Sequence, residues 1–134
     1  MFFHFEFFRT PDQHLVALEV NMRPPGGMTT DMFNYANDID IYHEYANIIL
    51  NNRFDAVYRR PYFCLYVGRK QSKRYLHSHE EILETFNGAI VHHELLSGVF
   101  SSALGNYGYI ARSEDLEDVL EIAQFVLEAE NPIL

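Results

Sequence analysis

Residues 2–9 set Phe3, Phe5 and Phe7 alternately with His4, Glu6 and Phe8, and residues 18–23 set Leu18, Val20 and Met22 alternately with Glu19, Asn21 and Arg23. Neighbouring side chains on a strand point to opposite faces, so the second stretch reads as a strand with one apolar face and one polar face. Between the two stretches, Thr10-Pro11-Asp12-Gln13 is a run of turn formers. Phe2–Arg9 and His14–Asn21 are therefore predicted to form a β-hairpin. One register puts Glu6 opposite Glu19 on the same face. The hairpin ends at Pro24-Pro25-Gly26-Gly27, a rigid turn whose glycine N–H groups can approach an anion closely.

Helical spacing follows. A short helix is predicted from Thr30 or Asp31 to Ala36, and a longer one from Asp40 to Asn51 with Ile41, Tyr45, Ile48 and Ile49 as its apolar stripe. Pro61–Arg69 and Lys73–His77 read as two strands joined at Lys70-Gln71-Ser72. Ser78-His79-Glu80-Glu81 has capping-box spacing and opens a helix carrying Ile82, Leu83 and Phe86, which Asn87-Gly88 ends. Strands are predicted over Ala89–Leu95, Gly98–Leu104 and Tyr107–Arg112. Ser113 is the expected cap of a last helix whose core face is Leu116, Val119, Leu120, Ala123 and Leu127. Strands and helices mixed in this order give an α+β fold class.

Composition narrows the function. The 134 residues are 48% hydrophobic, enough for a packed core, and no apolar run approaches membrane-spanning length. The single cysteine, Cys64, has no internal disulfide partner and suits a reducing compartment, so a cytoplasmic address is expected. A net charge of -9 argues against nucleic acid as a partner. The charge is uneven. Arg53, Arg59, Arg60, Arg69, Lys70, Lys73 and Arg74 stand against Asp55 alone, whereas every charged residue from Glu114 to Glu130 is acidic. Solvated faces account for this most simply, with a phosphate or a partner on the basic segment as the alternative.

The chemistry concentrates on the hairpin. Carboxylates directly opposite on a sheet repel. Glu6 and Glu19 therefore call for a cation between them, and an oxygen-only donor set completed by Asn21 suits Mg²⁺ or Mn²⁺ rather than zinc. His77, His79, His92, His93 and Cys64 match no zinc spacing, and His92 and His93 fall on opposite faces of their strand. Surface or hydrogen-bonded roles fit them better.

Phe5-Glu6-Phe7 together with Leu18-Glu19-Val20-Asn21-Met22-Arg23-Pro24 resembles the metal-binding hairpin of the ATP-grasp superfamily, which includes biotin carboxylase, carbamoyl-phosphate synthetase and carboxylate–amine ligases. The resemblance implies that Glu6 is the first metal ligand and Glu19 the second, bridging two metal ions, with Asn21 beside it. It implies that Arg23 faces the phosphate or acyl phosphate as the catalytic cation, so that Glu19, Asn21 and Arg23 contact the cofactor ATP. Gly26-Gly27 followed by Asp38-Ile39-Asp40-Ile41-Tyr42 resembles the continuation of that motif. The chain from about Tyr62 resembles the small C-terminal domain of the carboxylase-like branch.

Residues 1–56 are accordingly expected to be the C-terminal part of an ATP-grasp lobe, and 57–134 a small α+β C-terminal domain. Such ligases activate a small-molecule carboxylate as an acyl phosphate for attack by a nucleophile. They clamp ATP with a lobe that precedes this hairpin, so the chain is expected to be one portion of a ligase and inactive alone. The competing expectation is a non-enzymatic interaction module that forms a homodimer without binding ATP, because an apolar first strand left open invites pairing.

Overall fold

Phe2–Glu130 are described by a computed structural model, and they form two separate sheets and five helices. Met1 and residues 131–134, the outer ends of the two expected domains, lie outside the described residues. Strands β1 (His4–Arg9) and β2 (Leu15–Asn21) pair antiparallel as an isolated hairpin. Helices α1 (Thr29–Asn37) and α2 (Ile41–Asn51) follow. The remaining elements are β3 (Phe63–Arg69), α3 (His79–Thr85), β4 (Ile90–Leu95), α4 (Gly98–Leu104), β5 (Tyr107–Ser113) and α5 (Leu116–Leu127). The second sheet is antiparallel in the order β3-β5-β4, so β5 is its centre. The chain is α+β.

Alternation along β5 gives this sheet two packed faces. Tyr109 and Ala111 face α3 and α5 and join Val67, Ile82, Ile122 and Val126 in the main core. Each such buried aliphatic side chain contributes about 1.5–3 kcal/mol of apolar transfer. The other face of the sheet carries Ile110 and Arg112 and receives α1 and the end of α4. Gly68 and Gly108 are register partners there. Gly68 leaves room for the Leu104 carbonyl, which accepts a 2.8 Å hydrogen bond from the Tyr66 hydroxyl, and Gly108 leaves room for the Tyr66 ring.

Arg112 ties the first part of the chain to this sheet. Its Nη1 donates to the Tyr35 carbonyl at 3.0 Å and to Asp38, and its guanidinium lies 4.4 Å over the Tyr62 ring. Asp38 occupies the left-handed region at φ 49° and ends α1. Asp40 caps α2 by accepting from the His43 N–H, and Ser78 and Glu81 form the expected capping box of α3.

Five local expectations change. Gly98–Leu104 is helix α4 and not a strand. Its Phe100 and Leu104 stand one helical turn apart and line a common cavity, a spacing that a seven-residue apolar run cannot distinguish from alternation. Lys73–His77 forms no strand beyond the single bridge of Tyr75 to Ala129, and β3 pairs with the distant β5 instead. Asp115, not Ser113, caps α5 by accepting from the Glu117 N–H, while the Ser113 hydroxyl accepts from the Asp115 N–H. The buried face of α5 is Val119, Ile122 and Val126, with Leu116, Leu120 and Leu127 exposed. On α2, Ile49 faces solvent and Glu44 is buried, its Oε2 accepting the Asp55 N–H at 2.8 Å. None of the described helices is long and apolar enough to cross a membrane.

Candidate functional site

The hairpin pairs His4 with Asn21, Phe5 with Val20 and Glu6 with Glu19. A bulge follows, because Phe7 pairs with Ala17 and leaves Leu18 without a partner opposite. A bulge of this kind bends and twists the strand that carries it. It lies immediately beside Glu19. Directly opposed residues share a face of the sheet, so His4, Glu6, Glu19 and Asn21 converge.

Asn21 Nδ2 donates to Glu19 Oε1 at 2.7 Å, which orients that carboxylate and leaves the Asn21 side-chain oxygen as an acceptor. His4 Nε2 lies 3.5 Å from Glu6 Oε1, and His4 Nδ1 is buried without a partner among the described residues. No lysine or arginine among the described residues pairs with Glu6 or Glu19. His4 is the one basic side chain placed against either carboxylate among the described residues.

Arg23 stands beyond the end of β2. Its Nη1 donates to the Pro24 carbonyl at 2.9 Å and lies beside Gly26, not against Glu19. The turn after it is anchored, since the buried Thr30 hydroxyl donates to the Pro25 carbonyl at 2.8 Å. The structure thus brings Glu6, Glu19 and Asn21 together and holds Arg23 at the adjoining turn.

The donor set fits a hard divalent ion. It offers two carboxylates and one amide oxygen, and Mg²⁺ ordinarily takes one or two protein carboxylates and fills its remaining positions with water or phosphate oxygens. Among the described residues no group of three or more histidine, cysteine, aspartate or glutamate side chains is gathered to hold a metal. The hairpin set contains only two acids and depends on the amide for its third ligand.

The other face of the hairpin is apolar and uncovered. Phe3, Phe5 and Phe7 stack in a row with ring centroids 6.0 and 6.3 Å apart, and Phe5, Phe7 and Val20 each keep half or more of their surface exposed. At the root of the hairpin, Phe2 packs edge-on against Tyr45 of α2 at 5.6 Å.

The histidines divide between the two faces of the second sheet. His92 stacks near Tyr35 of α1, whereas His93 Nδ1 lies 2.7 Å from the Tyr107 hydroxyl. His79 bridges Tyr109, at 2.9 Å, and Tyr107, at 3.3 Å. This His79–Tyr107–His93–Tyr109 network is invisible in the sequence, because its members come from three elements. Burial pushes the Tyr107 and Tyr109 hydroxyls above the ordinary tyrosine range, so both remain neutral hydrogen-bonding groups. His77 lies between Glu81 and Glu128, 3.0 Å from each, and stacks on Phe125.

No protein-family model matches the chain, and no curated protein or solved structure matches it either.

Proposed function

We propose that this chain supplies the divalent-metal and phosphate half of an ATP-grasp ligase site, in which a carboxylate is activated as an acyl phosphate. The observation that supports the reading is the direct opposition of Glu6 and Glu19, with Asn21 on the same face. In this reading, residues 1–56 belong to the ATP-grasp lobe and 57–134 to a small following domain. A cytoplasmic address with no nucleic-acid partner fits it.

Mg²⁺ or Mn²⁺ bound at the hairpin would offset charge developing on the transferred phosphoryl group of ATP. Glu6, Glu19 and the Asn21 side-chain oxygen would hold the ion, while the Asn21 amide N–H holds the Glu19 carboxylate in place. Arg23 steadies the acyl phosphate from the adjoining turn. The nucleotide clamp, the carboxylate pocket and the nucleophile pocket would come from a lobe packed on this hairpin. The chain alone would bind metal and complete no turnover.

Mn²⁺ titration followed by water-proton relaxation tests the metal site. Saturable binding should weaken by about tenfold or more in Glu6→Gln and in Glu19→Gln. Equal binding in wild type and both variants refutes the assignment.

A second reading is a non-enzymatic interaction module, and the uncovered Phe3–Phe5–Phe7 row favours it. Exposed apolar patches of this kind mark association surfaces. A tight homodimer by sedimentation, with no MgATP binding by calorimetry at millimolar concentration, selects this reading over the first.

A further inference from the structure

At the shared end of β3 and β4, beside the start of β5, the second sheet opens into a cavity of about 310 Å³. Arg69 at the end of β3 and Lys70 and Lys73 in the following turn line it, and no carboxylate does. In a chain with 10 lysines and arginines against 19 acids, three cations at one acid-free cavity is a marked local excess. Three other cavities each include acids: Asp118 and Glu121, Glu121 and Glu128, and Asp31 and Glu94.

The Arg69 side chain is set on a rigid frame. Arg69 Nε donates to the Val126 carbonyl at 2.7 Å and its Nη1 to the His77 carbonyl at 2.8 Å, while the guanidinium lies 4.6 Å over the Tyr75 ring. Its remaining nitrogen, Nη2, is buried with no hydrogen-bond partner among the described residues. The turn is fixed as well: the Lys73 N–H donates to the Lys70 carbonyl, and the Lys70 N–H to the Tyr75 hydroxyl, both at 3.0 Å. The Gln71 N–H donates to Asn106 Oδ1 at 2.8 Å, which locks this turn to the loop that precedes β5. Gly105 precedes Asn106 at φ +96°, and a Cβ there would stand 2.8 Å from the Arg69 carbonyl oxygen, so the close approach of this loop to Arg69 depends on glycine. With these amides satisfied, recognition falls to the side chains. The opposite wall is apolar, formed by Leu95 and Leu96.

From this arrangement we infer that the cavity binds a small phosphate monoester with an apolar or aromatic body. A phosphate monoester carries about −1.5 to −2 charges at neutral pH, which matches a three-cation pocket better than the single charge of a carboxylate. Arg69 supplies a fixed positive charge in the wall, and Lys70 and Lys73 supply point charges that follow the anion. Leu95 and Leu96 accept the ester group. The site contains no residue of the β1–β2 hairpin and is independent of the metal reading.

Titration of the ¹⁵N-labelled chain with phenyl phosphate tests it, with inorganic phosphate and phenylacetate as comparisons. Phenyl phosphate should give saturable amide shifts at Lys70, Gln71, Lys73 and Asn106, and should bind several-fold more tightly than either comparison. Lys70→Ala/Lys73→Ala should lose about tenfold or more in affinity. Both lysines are exposed, so the variant should melt at the wild-type temperature. Glu19→Gln should bind phenyl phosphate as wild type does, which separates failure here from failure at the hairpin. The site is overturned by the absence of saturable shifts up to roughly 10 mM, or by unchanged affinity in the double lysine variant. Equal affinity for phenylacetate overturns the choice of phosphate, and equal affinity for inorganic phosphate overturns the role of the apolar wall.

Discussion

Glu6 and Glu19 stand directly opposite each other across β1 and β2, and the Asn21 amide fixes one of the two carboxylates at 2.7 Å. Like charges in this position cost about 0.2–1 kcal/mol relative to a neutral pair. In the presence of EDTA, Glu19→Gln should therefore be slightly more stable than wild type. In millimolar Mg²⁺ the order should reverse, because only the wild-type pair gains binding free energy from the ion. Thermal melts in the two buffers check both halves, and a ranking that Mg²⁺ leaves unchanged counts against the metal site.

Gly68 is required by contact. A Cβ there would overlap the Leu104 carbonyl oxygen, and that atom is backbone already bonded to Tyr66. Gly68→Ala should cost about 1–3 kcal/mol through overpacking. Gly98→Ala, at the first position of α4 with open space around it, should be neutral or stabilising by up to about 1 kcal/mol. Urea denaturation of the two variants makes the comparison.

Arg112 joins α1, Asp38 and Tyr62 through one planar group. Arg112→Lys keeps the charge but loses the stacking and the forked donor geometry, so a loss of about 1–2 kcal/mol is expected. Hydrogen exchange should show the loss first in the amides of α1. Uniform protection across α1 in the variant would contradict this.

His77 should make stability fall as pH rises through neutrality. Desolvation lowers its pKa, but the hydrogen bonds it gives to Glu128 and Glu81 and their charges outweigh it, so the net shift is upward from 6.5. Arg69 lies near only through its bond to the His77 carbonyl. A group whose folded pKa is raised contributes stability that is complete below the unfolded value and is lost as pH climbs through the folded one. His77→Gln should flatten the melting temperature across that window, and a slope identical to wild type would refute the assignment.

Cys64 should be a slow thiol. Burial pushes its pKa up to about 11, against some lowering by its register partner Arg112. The native protein should react with iodoacetamide roughly a hundredfold more slowly than an unfolded control. Equal rates would show that the site opens freely.

The hairpin was legible because its information is local. The turn formers at 10–13 and the alternation through Glu19 and Asn21 point to the strands and their faces within twenty-odd residues; the observed Glu6–Glu19 pairing is the register considered, and the bulge after Glu6 was not visible. The capping box at Ser78 is equally local. What escaped depended on distance along the chain. Nothing in Lys73–His77 shows that β3 has β5 as its partner, and nothing in Gly98–Leu104 shows that Gly68 leaves a place for a helix end. On α5 apolar residues surround most of the helix, so packing chose Val119, Ile122 and Val126 over the leucines. The basic turn at Lys70 and Lys73 stood out by charge, but the cavity beside it is completed by Leu95 and Leu96 at the end of β4 and by Asn106 after α4, which only the fold brings there.

The Arg112 clasp also limits how the protein can be divided. A version beginning after α2 would keep β3, β5 and their core, yet the guanidinium would lose the Tyr35 carbonyl and the Asp38 carboxylate while remaining half-covered beneath Tyr62. The face of the sheet that α1 now shields, with Ile110 at its centre, would open to water. Residues 57–134 separated from α1 should therefore melt lower than the same residues in the whole chain. The cover for this part of their surface is encoded before them, in α1.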